Sequence, residues 1–142
     1  MPVTVVVGAQ FGGEGKGKIV SHLCTTREVD YVVRCGGPNS GHTVYHRGRR
    51  FELRLLPAGF VGSRTRLLIA AGGLVNPQIL FREMELCSVD TSRVGIDRNT
   101  MVIDEGYSDA ERRLKLRERI GSTASGVGMG VAKRALRDPE VN

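Results

Sequence analysis

The sequence predicts an α/β domain with a mainly parallel sheet and a P-loop-like nucleotide-binding architecture. Short apolar runs rich in β-branched residues alternate with segments of helical pattern, as in strand–helix–strand units. Three glycine-rich loops interrupt this alternation, and such loops meet at the carboxyl edge of a parallel sheet, where ligands bind. We therefore expect residues 1–142 to form a single nucleotide-binding domain.

The first strand, loop and helix lie within Val3–Val20. The run Val3–Val7 is apolar and β-branched, which predicts a buried parallel strand. Five glycines follow between positions 8 and 17, and we expect a helix over Lys16–Cys24. Glycines let backbone N–H groups approach an anion, while a helix N-terminus and a lysine add positive charge. The segment therefore predicts a phosphate cradle rather than an unliganded turn.

This loop departs from a Walker A sequence at one position. Gly12, four further residues, Gly17 and Lys18 reproduce the pattern G-x-x-x-x-G-K. Ile19 stands where a serine or threonine would bind Mg²⁺. The sequence is therefore not an ordinary P-loop.

A second strand and glycine-rich loop follow the first helix. Val29–Cys35 predicts a strand that runs into the loop 36–43. Val44–His46 and Phe51–Leu56 then predict a β-hairpin with a basic turn around Gly48.

Farther along, the alternation of strands and helices continues. We expect strands over 66–71 and 100–104, and a helix from Asn76–Pro77 to about Leu86. Ser108 is expected to cap a helix that runs through Arg119, with Glu111 completing a capping box. The third loop, residues 121–130, precedes the basic segment 133–137. Because the last residues close no predicted element, we expect a sheet that is incomplete at the C-terminus.

The composition excludes several classes of protein. Hydrophobic residues make up 40% and charged residues 25%, as in a globular domain. No apolar run reaches the roughly 18 residues of a membrane span, and no signal peptide is evident. Because aromatic residues make up 5% and the basic residues are dispersed, the net charge of +6 favours small phosphorylated ligands over nucleic acid. Cys24, Cys35 and Cys87 indicate reduced thiols and a cytoplasmic protein.

The three loops suggest two phosphorylated ligands, such as a nucleoside triphosphate and a nucleoside monophosphate. His42 lies beside glycines, where it could donate a hydrogen bond to a transferring phosphoryl group or be an ordinary loop residue. Asn39 could bind a base or a phosphate, or form a plain turn with Pro38. Thr123 and the neighbouring serines could donate to a phosphate or terminate a helix.

Three motifs together resemble the adenylosuccinate synthetase family. They are Gly8-Ala-Gln-Phe-Gly-Gly-Glu-Gly-Lys-Gly-Lys18, Arg34-Cys-Gly-Gly-Pro-Asn-Ser-Gly-His-Thr43 and Ile120-Gly-Ser-Thr-Ala-Ser-Gly-Val-Gly128. They occur in order over nearly the whole chain. Members of that family are much longer, so the resemblance implies an N-terminal fragment of a longer ligase.

The resemblance implies a ligase of purine nucleotide biosynthesis that is cytoplasmic, dimeric and dependent on Mg²⁺. Such enzymes join L-aspartate to C6 of a 6-oxopurine nucleotide. A nucleoside triphosphate, GTP or ATP, first phosphorylates the purine O6, and aspartate then displaces the phosphate. The acceptor is IMP, which gives adenylosuccinate, or (d)GMP, which gives 2-amino-adenylosuccinate.

By the same resemblance, His42 would be the catalytic acid at the 6-oxygen, and Lys16 would lie near that oxygen. The carbonyl of Gly41 would bind Mg²⁺. The residues implied in triphosphate binding are Gly12, Gly13, Glu14, Gly15, Lys16, Gly17, Lys18, Gly41, His42 and Thr43. The residues implied in binding the monophosphate are Asn39, Ser40, Thr123 and either Lys133 or Arg134, one of which would reach the neighbouring subunit.

Gly13 departs from the family pattern, which has at this position an aspartate that acts as the general base. Loss of a general base costs about 10²–10⁴-fold in rate. Either the chain is a catalytically silent nucleotide-binding module, or its substrate differs. A glycine leaves room for the 2-amino group of guanine, as in the phage-type branch that uses (d)GMP, and Glu14 could partly replace the missing carboxylate.

Overall fold

The structure is a computed structural model that describes residues 2–10 and 12–138. The α-helices of this part of the chain are α1 (Lys16–Thr26), α2 (Pro77–Leu86), α3 (Glu105–Arg113), α4 (Leu116–Ile120) and α5 (Val127–Ala135). The strands are β1 (Tyr31–Arg34), β2 (His42–His46), β3 (Arg49–Leu53), β4 (Arg66–Ile69), β5 (Leu74–Val75), β6 (Val94–Ile96) and β7 (Met101–Val102). Two short 3₁₀ helices lie at Ala58–Val61 and Thr91–Arg93. None of the helices in these ranges has the length and hydropathy needed to cross a membrane.

The sheets are mainly parallel, which confirms the predicted fold class. Strands β1, β4 and β6 form a three-stranded parallel sheet with β4 in the centre. Strands β5 and β7 form a second parallel pair, and β2 and β3 form the predicted antiparallel hairpin. The hairpin turns at Arg47 and Gly48, both of which have positive φ, as a tight two-residue turn requires.

Two hydrophobic clusters hold these layers together. The larger one joins the hairpin, the sheet and α2 through side chains such as Val44, Leu56 and Leu67, which are fully buried. The smaller one contains Leu74, Met101 and Ile103, against which the start of α5 packs. The second cluster places the third glycine-rich loop beside the strands β5 and β7.

Local signals located several elements correctly. The side chain of Asn76 accepts a hydrogen bond from Ile79 N and Pro77 begins α2, as predicted. The strands predicted at 29–35, 66–71 and 100–104 are shorter in the structure than expected, at β1, β4 and β7. The strands β5 and β6 were not predicted, because two or three residues carry too little periodicity.

The predicted strand at Val3–Val7 is wrong. Residues 2–8 have no regular secondary structure, and Val3, Val5 and Val7 are 85%, 75% and 76% exposed. A strand requires a neighbour that pairs with its backbone. Within the described residues no strand pairs with this segment, so its β-branched composition does not produce a strand.

The prediction for the helix at Ser108–Arg119 is also wrong in its start, its cap and its continuity. The helix α3 begins earlier, because Asp104 accepts a hydrogen bond from Tyr107 N. It ends before Lys115, whose φ of 51° separates α3 from α4. Glu111 completes no capping box with Ser108, since its buried carboxylate accepts from Gly126 N and Met129 N instead.

Candidate functional site

The first two glycine-rich loops line one cleft of about 570 Å³. It lies between the start of α1, the end of β1 and the hairpin. The predicted site residues that line it are Gly12, Gly13, Glu14, Gly15, Lys16, Gly17, Lys18, Ser40, Gly41, His42 and Thr43. The parallel arrangement of β1 and β4 brings the second loop to this edge, where ligands of α/β proteins bind.

The N-terminus of α1 opens onto the cleft with its first-turn N–H groups uncapped by side chains of the described residues. Gly15 is the N-cap with a φ of 77°, and the first helical bond runs from Ile19 N to Gly15 O. The first turn carries Lys16 and Lys18 and no acidic residue. A helix N-terminus of this kind favours a bound anion such as phosphate.

Glu14 and Lys16 form an ion pair beside this terminus. Glu14 Oε2 lies 2.7 Å from Lys16 Nζ, and Oε1 accepts from Ala9 N at 2.7 Å and Gln10 N at 2.8 Å. The hydrogen bond from Lys16, followed by those from Gln10 and Ala9, holds the pKa of the Glu14 carboxyl below its usual value. A Cβ at Gly8 would overlap Glu14 Oε2 and approach Lys16 Nζ, so a larger residue there would displace the ends of these two side chains.

His42 is a neutral imidazole with one ring nitrogen unpaired. Its Nε2 lies 2.8 Å from Leu56 O, whereas the buried Nδ1 has no hydrogen-bond partner among the described residues. Burial, and then the positive charge of Arg34, lower the pKa of His42 to about 4, although the hydrogen bond to Leu56 opposes this shift. At neutral pH Nε2 therefore carries the proton that it donates to Leu56 O, and Nδ1 is an acceptor.

Gly17 allows α1 to approach His42 closely. A Cβ at Gly17 would lie 3.0 Å from His42 Cβ and 3.3 Å from Thr43 O. Because both neighbours belong to β2, a larger residue would push the helix away from the strand. Gly17 therefore sets the distance between the two loops.

Sequence reasoning gave no role to Arg34, which ends β1 at the cleft. Its Nη2 donates to Ser40 O at 2.9 Å and to Arg54 O at 2.6 Å, so it joins the second loop to the hairpin. A basic residue directly before a glycine-rich loop was the available signal. Its partners are backbone carbonyls, however, which have no sequence pattern.

Gly13 faces open space. A Cβ built at this position meets no atom of residues 2–10 and 12–138 within 4 Å, and its φ lies outside the positive range that favours glycine. A larger side chain therefore fits here without backbone strain. By contrast Gly12, with a φ of 92°, requires glycine.

Four of the predicted site residues do not line this cleft: Asn39, Thr123, Lys133 and Arg134. Thr123 Oγ1 lies 2.7 Å from Ser125 Oγ in the third loop. Lys133 forms an ion pair with Asp138 at 3.3 Å, and Arg134 donates to Asn99 O at 3.0 Å.

The second and third loops nevertheless touch. The position of a Cβ on Gly37 lies 3.0 Å from Val127 Cγ2, at the first residue of α5. The N-terminus of α5 is closed to ligands, since the Glu111 carboxylate binds the N–H groups of Gly126 and Met129. In this part of the chain the third loop therefore offers hydroxyl groups rather than a helix terminus.

No group of three or more His, Cys, Asp or Glu side chains that could hold a metal occurs in residues 2–10 and 12–138. Among the cleft-lining residues of these ranges, Glu14 is the one with an acidic side chain. A divalent ion in this cleft would therefore depend on phosphate oxygens for most of its ligands.

Iodoacetamide is expected to alkylate Cys35 at pH 8 well before it alkylates Cys24 or Cys87. Cys35 is exposed in the cleft, and alkylation requires the thiolate. Burial raises the pKa of Cys24, and burial followed by the charge of Glu83 raises that of Cys87 to about 12. Timed labelling with peptide mass spectrometry measures the order. Replacing Cys35 by serine should abolish the fast phase, and fast labelling of Cys87 in the folded chain would contradict the prediction.

Comparisons with known proteins agree on one family. The sequence model described as adenylosuccinate synthetase matches residues 5–140. The adenylosuccinate synthetase of Thermococcus sibiricus is 40% identical over an alignment of 141 positions, which covers 96% of this chain and 42% of that protein. The adenylosuccinate synthetase of Archaeoglobus fulgidus is 39% identical over an alignment of 150 positions, which covers 99% of this chain and 44% of that protein.

Two solved structures share the fold. The fully ligated adenylosuccinate synthetase from Plasmodium falciparum superposes with a TM-score of 0.82 and 28% identity, over 92% of this chain and 32% of that one. The cyanophage S-2L succinoaminodeoxyadenylate synthetase, bound to dGMP and to dATP as energy donor, superposes with a TM-score of 0.75 and 25% identity. This superposition covers 92% of this chain and 37% of that one. The chain therefore spans less than half the length of these relatives.

Proposed function

Because the chain belongs to the adenylosuccinate synthetase family, we propose that a longer protein that includes it joins L-aspartate to C6 of a 6-oxopurine nucleotide. GTP or ATP drives the reaction through a 6-phosphoryl intermediate. The observation that supports this function best is the cleft, where the uncapped N-terminus of α1 and two lysines face His42. We place the reaction in the cytoplasm.

The triphosphate binds at the start of α1. The N–H groups of the first turn and residues Gly12–Lys18 surround its phosphates, and Gly41 and Thr43 contact the group that is transferred. Lys16 leaves Glu14 for the developing charge at the 6-oxygen. This exchange is feasible because the ion pair is partly exposed, with the Lys16 side chain at 46%.

His42 acts at the 6-oxygen as a neutral hydrogen-bond donor. Its proton is on Nε2, which donates to Leu56 O in the structure. When the substrate oxygen replaces Leu56 O, the same N–H stabilises the charge that develops there. The low pKa of the ring keeps it in this neutral form over the physiological range.

The donor set of the cleft fits a Mg²⁺ ion held mainly by phosphate oxygens. Among the described residues, Lys16 alone donates a hydrogen bond to Glu14 Oε2, which leaves a lone pair for a cation. Glu14 and the carbonyl of Gly41 would hold the ion, which when bound neutralises charge on the phosphates.

The acceptor nucleotide that we favour is (d)GMP. The open space at Gly13 accommodates a 2-amino group, and the phage relative with the same fold binds dGMP and dATP. Asn39, Ser40 and Thr123 bind the monophosphate, and Lys133 or Arg134 reaches the phosphate in the neighbouring subunit of a homodimer. The two loops that carry Asn39 and Thr123 touch between Gly37 and Val127, which supports a shared site.

The test offers IMP and dGMP separately to the longer protein, with aspartate, Mg²⁺ and either GTP or ATP. Formation of a succinylated product from dGMP alone supports the preferred acceptor. Formation of product from IMP alone supports the proposed ligation but shows that the acceptor is IMP rather than dGMP. If neither nucleotide is converted, the ligase proposal fails and a catalytically silent nucleotide-binding module becomes the better account.

Replacing Gly13 by aspartate is expected to shift the preference from dGMP towards IMP by about tenfold or more, since the carboxylate restores a base and fills the space beside C2. The backbone at Gly13 accepts the side chain without strain. The ratio of kcat/KM values for the two nucleotides measures the shift. Gly13→Asn is the matched control, because it fills the same space without a base. An unchanged ratio in Gly13→Asp would contradict the steric argument.

A further inference from the structure

Glu83 is a buried carboxylate outside the cleft. It lies on α2, is 6% exposed and forms no ion pair within 4.0 Å with a described residue. Its oxygens accept instead from three consecutive backbone N–H groups, at Arg54 (2.6 Å), Leu55 (2.9 Å) and Leu56 (2.8 Å). Burial of a carboxylate is costly unless its hydrogen bonds are satisfied, so these three charge-assisted bonds fix the segment 54–56 firmly.

The carbonyl groups of the same segment hold two side chains of the cleft. Leu56 O accepts from His42 Nε2 at 2.8 Å, and Arg54 O accepts from Arg34 Nη2 at 2.6 Å. Arg34 in turn donates to Ser40 O, next to Gly41 in the second loop. Glu83 is therefore joined to Arg34 through one peptide group and to His42 through the backbone of Leu56.

The peptide between Arg54 and Leu55 shows this connection directly. Its N–H donates to Glu83, and its C=O accepts from Arg34. A peptide group is planar, so fixing the N–H also fixes the direction of the C=O. The negative charge of Glu83 also opposes the effect of burial, which lowers the pKa of Arg34.

The carbonyl of Leu56 is restrained from both sides. Glu83 holds Leu56 N, and the next residue is Pro57, which has a φ of −56° and no N–H. A residue before proline is confined to extended conformations, which limits the directions its carbonyl can take. The acceptor that orients His42 is therefore set by Glu83 and Pro57 together.

We propose that Glu83 is a positioning residue of the cleft, which orients His42 and the second glycine-rich loop through the backbone of residues 54–56. The orientation of His42 by Leu56 O belongs to the cleft without substrate and does not rest on the proposed function. The kinetic consequence does rest on it, and acts through Arg34, which holds the second loop after the substrate oxygen has replaced Leu56 O. Displacement of a reacting group by about 1 Å can cost 10²-fold in rate, so a distant residue of this kind affects catalysis without touching substrate.

The structural test compares Glu83→Gln, Glu83→Ala and two controls by NMR in this chain. Glu85→Gln changes an exposed glutamate on the same helix, and Met84→Ala destabilises the core cluster that contains Leu55 and Leu56 without removing a hydrogen bond to segment 54–56. In Glu83→Ala the amide protons of Leu55 and Leu56 should exchange about 10- to 100-fold faster, and the His42 Nε2–H resonance should disappear. Glu83→Gln, which keeps one acceptor oxygen, should show a smaller effect.

Persistence of the His42 Nε2–H resonance in Glu83→Ala would overturn the proposal. So would its loss to the same degree in Met84→Ala, because the effect would then follow from general destabilisation. If Glu83→Ala does not fold, the exchange of the Leu55 and Leu56 amides and the His42 Nε2–H resonance are measured in Glu83→Gln, and these two signals decide the proposal.

The kinetic test uses the longer protein. Glu83→Gln should lower kcat by about tenfold with little change in the KM for aspartate, while Glu85→Gln leaves both unchanged. An unaltered kcat, with the His42 resonance lost, would overturn the catalytic consequence. A wild-type protein that ligates neither IMP nor dGMP contradicts the proposed function instead, and the NMR result still decides whether Glu83 orients His42.

Discussion

Replacing His42 by asparagine is expected to lower the kcat of the proposed ligation by about 10²–10³-fold, the usual cost of removing a hydrogen-bond donor to a developing oxyanion. The structure gives the reason, since the Nε2–H of His42 is the group that would meet the 6-oxygen in place of Leu56 O. Asparagine carries its N–H nearer the backbone, at the distance of Nδ1, so the 6-oxygen loses this donor and the loss should fall on kcat. Steady-state kinetics of the longer protein with saturating substrates measure it.

His22→Asn is the matched control for this prediction. His22 is exposed on α1, outside the set of residues that lines the cleft, so its replacement should leave kcat within about twofold. Binding of the triphosphate to the His42→Asn protein should also persist, because the helix N-terminus and the lysines remain. A His42→Asn protein with undiminished kcat would remove His42 from the mechanism.

The parts of the fold that the sequence predicts are those with local causes. The Asn76 cap, the tight turn at Gly48 and the helix after Gly15 each depend on residues within four positions of one another. The strand predicted at Val3–Val7 fails for the opposite reason, because pairing requires a partner elsewhere in the chain. Composition indicates which residues can form a strand, and topology decides whether they do.

The same distinction between local and long-range causes explains which parts of the site the sequence predicts. The position of the second glycine-rich loop follows from the topology of a parallel sheet, which an alternating pattern of strands and helices predicts. The first loop follows no strand of the described residues, and it meets the second loop where α1 packs against β2 at Gly17. The supporting residues Arg34 and Glu83 were missed because their partners are backbone atoms, from Arg54 to Leu56, that lie 20 to 29 residues away. Backbone acceptors and donors are the same in every residue, so no sequence pattern identifies them.

Glu111 is another residue whose partners lie far along the chain, and we expect its replacement to have a large effect on stability. The sequence predicts that Glu111 belongs to a capping box of its own helix. In that position its loss would lower the stability of the protein by little more than the contribution of one helix cap. The structure instead buries it at 2% exposure, with Oε2 2.9 Å from Gly126 N and Oε1 3.2 Å from Met129 N. It therefore caps α5 and fixes the end of the third loop against α3.

Glu111→Ala is accordingly expected to lower the free energy of unfolding by about 2–4 kcal/mol, because a buried and a partly buried N–H group lose their acceptor and α5 loses its cap. Urea unfolding measures the change, with Glu118→Ala on α4 as an exposed control that should stay within about 0.5 kcal/mol. Hydrogen exchange separates the two roles of Glu111. If it caps α5, the amides of Gly126 and Met129 exchange faster in the variant while those of α3 change only with global stability. Faster exchange confined to the amides of Ser108 and Glu111 would favour the capping box and contradict the long-range cap.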